Sequence, residues 1–270
     1  MRRTLAKYLQ LVGALLVLSL VVGISTAAQS FAPSSTCKQP YPLCQVRGAP
    51  DLHEIATTRL PPERALFFYE QRTASQGNSL GSFTASMIIR ADLPDTLQQG
   101  EFELRVQYIA PHCLQFTPVR FVGDGFVKHN VISRILQSEV QHAAREDRGN
   151  TAIDADNYSF NYKRTELLNS EFVHVYAVKP RQKRLLLFKG EIYIDARTGR
   201  LRKAKGTMAK SQSFWVRKLE FVQEYADFED FTLPVHLHSV AKARIVGKVM
   251  VDIVVDKYSL VKLKASNGQP

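Results

Sequence analysis

Several side-chain sets in this sequence match the spacing of catalytic or metal-binding motifs. Gly77-Asn78-Ser79-Leu80-Gly81 fits the G-x-S-x-G of a serine nucleophile elbow, where a strand-to-helix turn exposes the hydroxyl and the following helix helps supply the oxyanion N–H. Here the motif precedes an alternating apolar segment, so residues 76 to 82 are expected to form a polar hairpin or loop without that helix. His53-Glu54 opens an H-E-x-x-H zinc motif, but Thr57 stands where the second histidine belongs. Ser35-x-x-Lys38 and Ser259-x-x-Lys262 match the first box of penicillin-recognising enzymes, with no S-D-N or K-T-G box to accompany them. Asp154-Ala155-Asp156-Asn157 starts like a calcium loop, yet Tyr158 takes a ligand position and the later Gly and Glu are missing. Glu224, Asp227, Glu229 and Asp230 lie close together, either as a solvated loop or as a weak divalent-cation site. His236 and His238 point to one side of a strand, and no third ligand is evident from the sequence. These patterns predict a protein without catalytic residues, cofactor or metal.

The basic residues carry a stronger signal. Across 270 residues, 36 Lys and Arg oppose 25 Asp and Glu, a formal charge of +11. Between Lys179 and Lys218 there are 13 basic residues against only Glu191 and Asp195, so this stretch alone has a net charge of +11. Lys183, Arg184, Arg200, Arg202, Lys203 and Lys205 are the candidates for contact with anionic lipid head groups. Strict alternation puts Lys203 and Lys205 on the side of Leu201, with Arg200 and Arg202 on the other. The plainer reading of the same residues is a solvated outer face. Nucleic acid is not the expected partner, because the N-terminus predicts export.

Arg2, Arg3 and Lys7 precede an apolar run from Leu11 to Ile24, followed by the small residues Ser25, Thr26 and Ala27. That is the layout of a signal peptide over residues 1–27, and the run is short of the roughly 20 residues a membrane-spanning helix needs. Cleavage after Ala27 would remove three basic residues and no acidic ones, leaving 33 against 25. Residues 28–60 form a Cys- and Pro-containing segment. In an oxidising compartment a Cys37–Cys44 disulfide would close a short loop and tether it; free thiols, or pairing of one of them with Cys113, are the alternatives.

The remainder, residues 61–270, is predicted to be one domain that is mainly β. Glu101 to Ile109 alternates with Phe102, Leu104, Val106 and Tyr108 on one face, and Phe83 to Ala91 and Lys248 to Asp256 keep the same period. Further strands are expected over residues 171–178, 185–195, 200–210, 216–226 and 233–245, with a turn at Arg197-Thr198-Gly199. Spacing this close predicts an antiparallel meander. One amphipathic helix is inserted at about 130–148, with Ile132, Ile135, Leu136, Val140, Ala143 and Ala144 as its apolar stripe, Glu139 off it, Asn130 as its cap and Gly149 at its end. Residues 62–73 suit either a second helix or a strand. One helix covers the whole apolar face only if the sheet curls, so the expected architecture is a single curved antiparallel sheet, an incomplete β-barrel, with the helix as lid. Phe102, Leu104, Val106, Tyr108, Ile132, Ile135 and Leu136 are candidates to line a cavity beneath it, or to fill it as core.

Gly190-Glu191-Ile192-Tyr193-Ile194-Asp195, then Thr198-Gly199, Lys203 to Lys210, Val216 to Phe221, Tyr225 and Phe231 to Pro234 follow one another in an order similar to exported bacterial proteins related to the lipoprotein-sorting, or Lol-type, carriers. The resemblance spans about residues 185–258. It implies a half-barrel whose helix-covered face holds acyl chains, hence a non-catalytic periplasmic carrier, free or associated with the outer membrane, for a lipid or an acylated protein. The alternative is an envelope scaffold or assembly factor that binds another envelope protein, or a membrane surface, through its basic strands.

Overall fold

The structure, a computed structural model, describes residues 59–110, 113–143, 151–184, 186–210, 216–244 and 246–262. The signal segment, Cys37, Cys44, His53 and Glu54 lie outside them.

The first described element is a helix, α1 (Pro62–Ser79), with proline in its first turn, where a missing N–H costs nothing. It runs without a loop into strand β1 (Leu80–Leu93). Gln76 to Ser79 are therefore helical, correcting the hairpin expected there. The serine of the G-x-S-x-G match ends a helix rather than opening one, and its hydroxyl donates to the Ser75 carbonyl at 2.9 Å. Then come β2 (Gln98–Ile109), β3 (Cys113–Gly123), a helical segment, and β4 (Tyr158–Leu168), β5 (Glu171–Pro180), β6 (Phe188–Asp195), β7 (Leu201–Met208), β8 (Val216–Phe228), β9 (Phe231–Ala243) and β10 (Gly247–Lys262).

All ten strands form one open antiparallel sheet in the order β3-β2-β1-β10-β9-β8-β7-β6-β5-β4. Two meanders are thus joined by β1 pairing with β10, from Leu80 opposite Lys262 to Asp92 opposite Met250. The consequence for the helix is topological. β3 and β4 are the two opposite edges, so the segment between them has to cross a whole face of the sheet.

That crossing segment begins with a turn of α-helix (Gly125–Val127), passes through a π-helical turn (Lys128–Ile132) and ends as α2 (Ser133–Ala143). The helical run therefore starts before Asn130, which sits within the π turn and donates from Nδ2 to the Phe126 carbonyl at 3.0 Å. Val131, Ile132, Ile135 and Ala143 pack into the main core against Phe102, Leu104, Val106 and Tyr108 of β2 and the inward residues of β1, β9 and β10. Glu139, expected off the stripe, is buried with them, and Val140 is 40% exposed; at 100° per residue positions 132, 135, 139 and 143 share one side, with 140 well round the helix.

The second core lies under α1, where Ala65 and Tyr69 meet Tyr158, Tyr176, Ile192, Ile194 and Tyr225. Met208 and Phe221 pack against both cores, so α1 and α2 cover the same face. The ambiguous segment at residues 62–73 is thus a second covering helix. The tyrosines fix it in place: Tyr176 Oη donates to the Pro62 carbonyl at 2.6 Å and Tyr69 Oη to the Ile153 carbonyl at 2.8 Å.

Candidate functional site

The sheet edge beside α2 leaves a groove. Its floor is Phe102 and Leu104 of β2 and Phe116, Pro118 and Phe121 of β3, and its far wall is Leu136 and Val140 of α2. The volume is about 740 Å³, within the roughly 300–1,000 Å³ of small-ligand sites. It stays open because β3 is an edge strand carrying a bulge, where Leu104 pairs with Pro118 but Glu103 pairs with Arg120. The bulge pushes Val119 outward, 57% exposed at the groove's lip. Ser133, Gln137 and Gln141 add neutral polar groups along α2, and among the described residues Lys128 and Arg120 are the only charged ones of the lining.

Three of the expected lining residues, Phe102, Leu104 and Leu136, meet in this groove. Val106, Tyr108, Ile132 and Ile135 are at most 1% exposed and belong to the packed core behind it. The sequence reading missed the β3 contribution, Phe116, Pro118 and Phe121. Its signal was weak because an edge strand interrupted by proline shows little alternation.

A second cavity lies under α1, between Tyr69, Phe188, Leu201, Phe221 and Tyr225, with Arg72 and Gln223 as polar wall. Only about 60 Å³ is open there, space for a few waters rather than an alkyl chain.

The basic strands are arranged differently from strict alternation. A bulge between Tyr193 and Ile194 of β6 leaves Arg202 as the extra residue of β7. Leu201 and Ala204 both face the core under α1, whereas Lys203 and Lys205 lie opposite, next to Tyr193. Leu201 therefore does not share a side with the lysines, because the bulge inverts the period. Arg202 reaches Asp227 at 2.7 Å, Glu171 at 2.9 Å and Asp195 at 3.0 Å, and Arg200 reaches Asp227 at 3.1 Å. Lys205 is 3.2 Å from Glu191 and Lys203 3.9 Å from Glu224. Lys183 and Arg184 are exposed in the β5–β6 connection, where the Arg184 Nε donates to Gln182 at 2.9 Å.

Burial raises the pKa of Asp195, but the backbone N–H groups of Thr198 and Arg197, together with Arg202, outweigh it and hold the carboxyl below its ordinary value. For Asp227 the same burial is outweighed by Arg202 and Arg200. Asp195 is also the anchor of the expected turn, accepting from both Arg197 N and Thr198 N at 2.8 Å.

The remaining motif candidates resolve into structural contacts. Asp154 accepts from Asn157 N at 3.0 Å and forms a turn ahead of β4. Lys262 of the Ser259 motif pairs with Asp230 at 2.6 Å. His236 and His238 both lie against Asp252, at 3.0 and 3.3 Å. Among the described residues no group of three His, Cys, Asp or Glu is placed to hold a metal ion.

No family model matches the sequence, and no curated protein matches it. Among solved structures the chain is similar to a LolA superfamily protein from Nitrosomonas europaea, at 12% identity over 74% of this chain and 94% of that one, with a TM-score of 0.35. It is also similar to a DUF1329 family protein from Desulfovibrio piger, at 8% identity over 78% of this chain and 95% of that one, with a TM-score of 0.40. A MucA/MucB complex from Pseudomonas aeruginosa matches at 11% identity over 71% of this chain and 93% of that one, with a TM-score of 0.23. Likenesses of this size carry no argument about ligand or partner, and the open sheet is established by the strand pairing of this chain itself.

Proposed function

We propose that this protein is an exported, non-catalytic carrier that binds the alkyl chain of a lipid or of an acylated protein in the groove between α2 and the β2–β3 edge. The observation that carries this reading is the groove itself, an open apolar channel of about 740 Å³ between a helix and an edge strand. Its walls present Val119 and Val140 to solvent, and apolar surface left wet in this way is stabilised by covering it, by about 25 cal/mol for each Å² removed from water. Export rests on the signal-like residues 1–27.

Protein purified without detergent is expected to release lipid in native mass spectrometry. Leu136→Trp, at a partly exposed groove position, fills the channel and abolishes that lipid while circular dichroism stays native. A wild-type protein that carries no lipid and takes up none from added vesicles overturns the reading.

A further inference from the structure

The groove has a charge preference built into one end. Among the described residues none of its lining is an acid, and Lys128 projects over its aromatic floor, with Nζ 5.0 Å from the Phe121 ring centre and 5.4 Å from that of Phe102. The two rings hold the ammonium at the mouth of the channel by cation–π attraction. Among the described residues Lys128 has no carboxylate within 4.0 Å, whereas Arg200, Arg202, Lys203 and Lys205 of the basic strands are each paired with at least one. Asp124, the nearest acid in sequence, has its carboxylate turned to the Gln99 N–H at 2.9 Å. Lys128 also opens the π-helical turn, an irregularity that costs helix hydrogen-bond geometry and recurs at functional sites. Arg120, the other cation of the lining, stands across the β2–β3 pairing from Glu103 and contributes at the lip.

Resting on the alkyl-chain reading above, we infer that the ligand is an anionic amphiphile: a single alkyl chain in the groove whose carboxylate or phosphate head is held by the Lys128 ammonium. An apolar channel ending in a cation that has no carboxylate beside it among the described residues favours a chain bearing the opposite charge over a neutral chain of equal length, because the head group completes an ion pair partly shielded from water.

The test compares dodecanoate, dodecyl phosphate and dodecanol, each below its aggregation threshold, as competitors of a bound fluorescent fatty-acid analogue on the full chain. At least one of the two anions is expected to bind about tenfold more tightly than the alcohol, the worth of one charge-assisted contact, and the tighter of them identifies the head group. Lys128→Met keeps the apolar stem and is expected to bring the anion to within about twofold of dodecanol, Lys128→Arg restores the preference, and Lys203→Met leaves it unchanged. Equal binding of all three by the wild type, or a preference that survives Lys128→Met, overturns this inference and leaves the alkyl-chain reading standing. Failure of all three to bind overturns both.

Discussion

Arg202 shows how one residue can look like a binding group in sequence and act as a strut in the fold. Its guanidinium is 14% exposed and ties β7 to Glu171 on β5, Asp195 at the end of β6 and Asp227 on β8. Removing it strands Asp195, whose side chain is 3% exposed. Arg202→Met is therefore expected to cost about 3 kcal/mol in urea unfolding, the lower end for breaking a buried pair, since the turn N–H groups still reach Asp195. The pH dependence follows from the same carboxyls. Asp195 and Asp227 are held below their ordinary values in the folded state, so there the unfolded chain, titrating near about 3.9, binds more protons than the native one. Their stabilisation is complete above that pH and is lost as pH falls through the folded values. Urea midpoints measured downward from neutral pH are expected to drop below about pH 4, and to drop less steeply in Arg202→Met. An unchanged acid limb in the variant rules out this network as its cause.

At the level of elements, the β6–β7 ladder depends on two facing glycines. Gly190 pairs with Gly206, and a Cβ on Gly190 would fall on the Lys205 carbonyl and within 2.6 Å of the Gly206 Cα. Backbone cannot yield as a flexible side chain does, so Gly190→Ala is expected to destabilise by about 1–3 kcal/mol or more. A melting temperature equal to wild type would show that the strands separate freely there. The central strands were legible from the sequence because each buries one face: β2 keeps its inward residues Phe102 to Tyr108 at 6% exposure or less. The edge strands β3 and β4 were not, since residues 161–165 of β4 are all exposed and Pro118 interrupts β3. A strand that buries little carries little period. The groove is built on one of those edges, which is why the sequence pointed to Phe102, Leu104 and Leu136 of its lining but not to Phe116 or Phe121.

For the molecule as a whole, the last strand is not peripheral. β10 lies in the middle of the sheet between β1 and β9, and its pairing with β1 joins residues more than 150 positions apart, as at Asp92 with Met250. Ending the chain after Val246 would remove the bridge between the two meanders and leave the facing edges of β1 and β9 without their hydrogen-bonding partner. That truncation is expected to give aggregated or protease-sensitive material rather than a nine-stranded domain, as judged by size-exclusion chromatography and limited proteolysis. A soluble, cooperatively melting product would mean that each meander folds alone. Pairing at this sequence separation also places folding among the slow, non-local topologies.

The sequence by itself determined that the described part of the chain is mainly antiparallel strand, that one face of the sheet is apolar, and that an amphipathic helix follows the first strands, because period and composition are local properties that survive any arrangement. It did not determine which strands are neighbours, that two helices share the covered face, or which cations are already paired. Those depended on β1 meeting β10, on the crossing from β3 to β4, and on a bulge at Arg202 that turns Leu201 to the opposite side from Lys203. A one-residue bulge inverts every later position on a strand, and charge is balanced between residues far apart in the chain. Only the tertiary structure could therefore show that Arg200, Arg202, Lys203 and Lys205 of the basic stretch are paired with carboxylates, while among the described residues the lysine beside the groove has none within 4.0 Å.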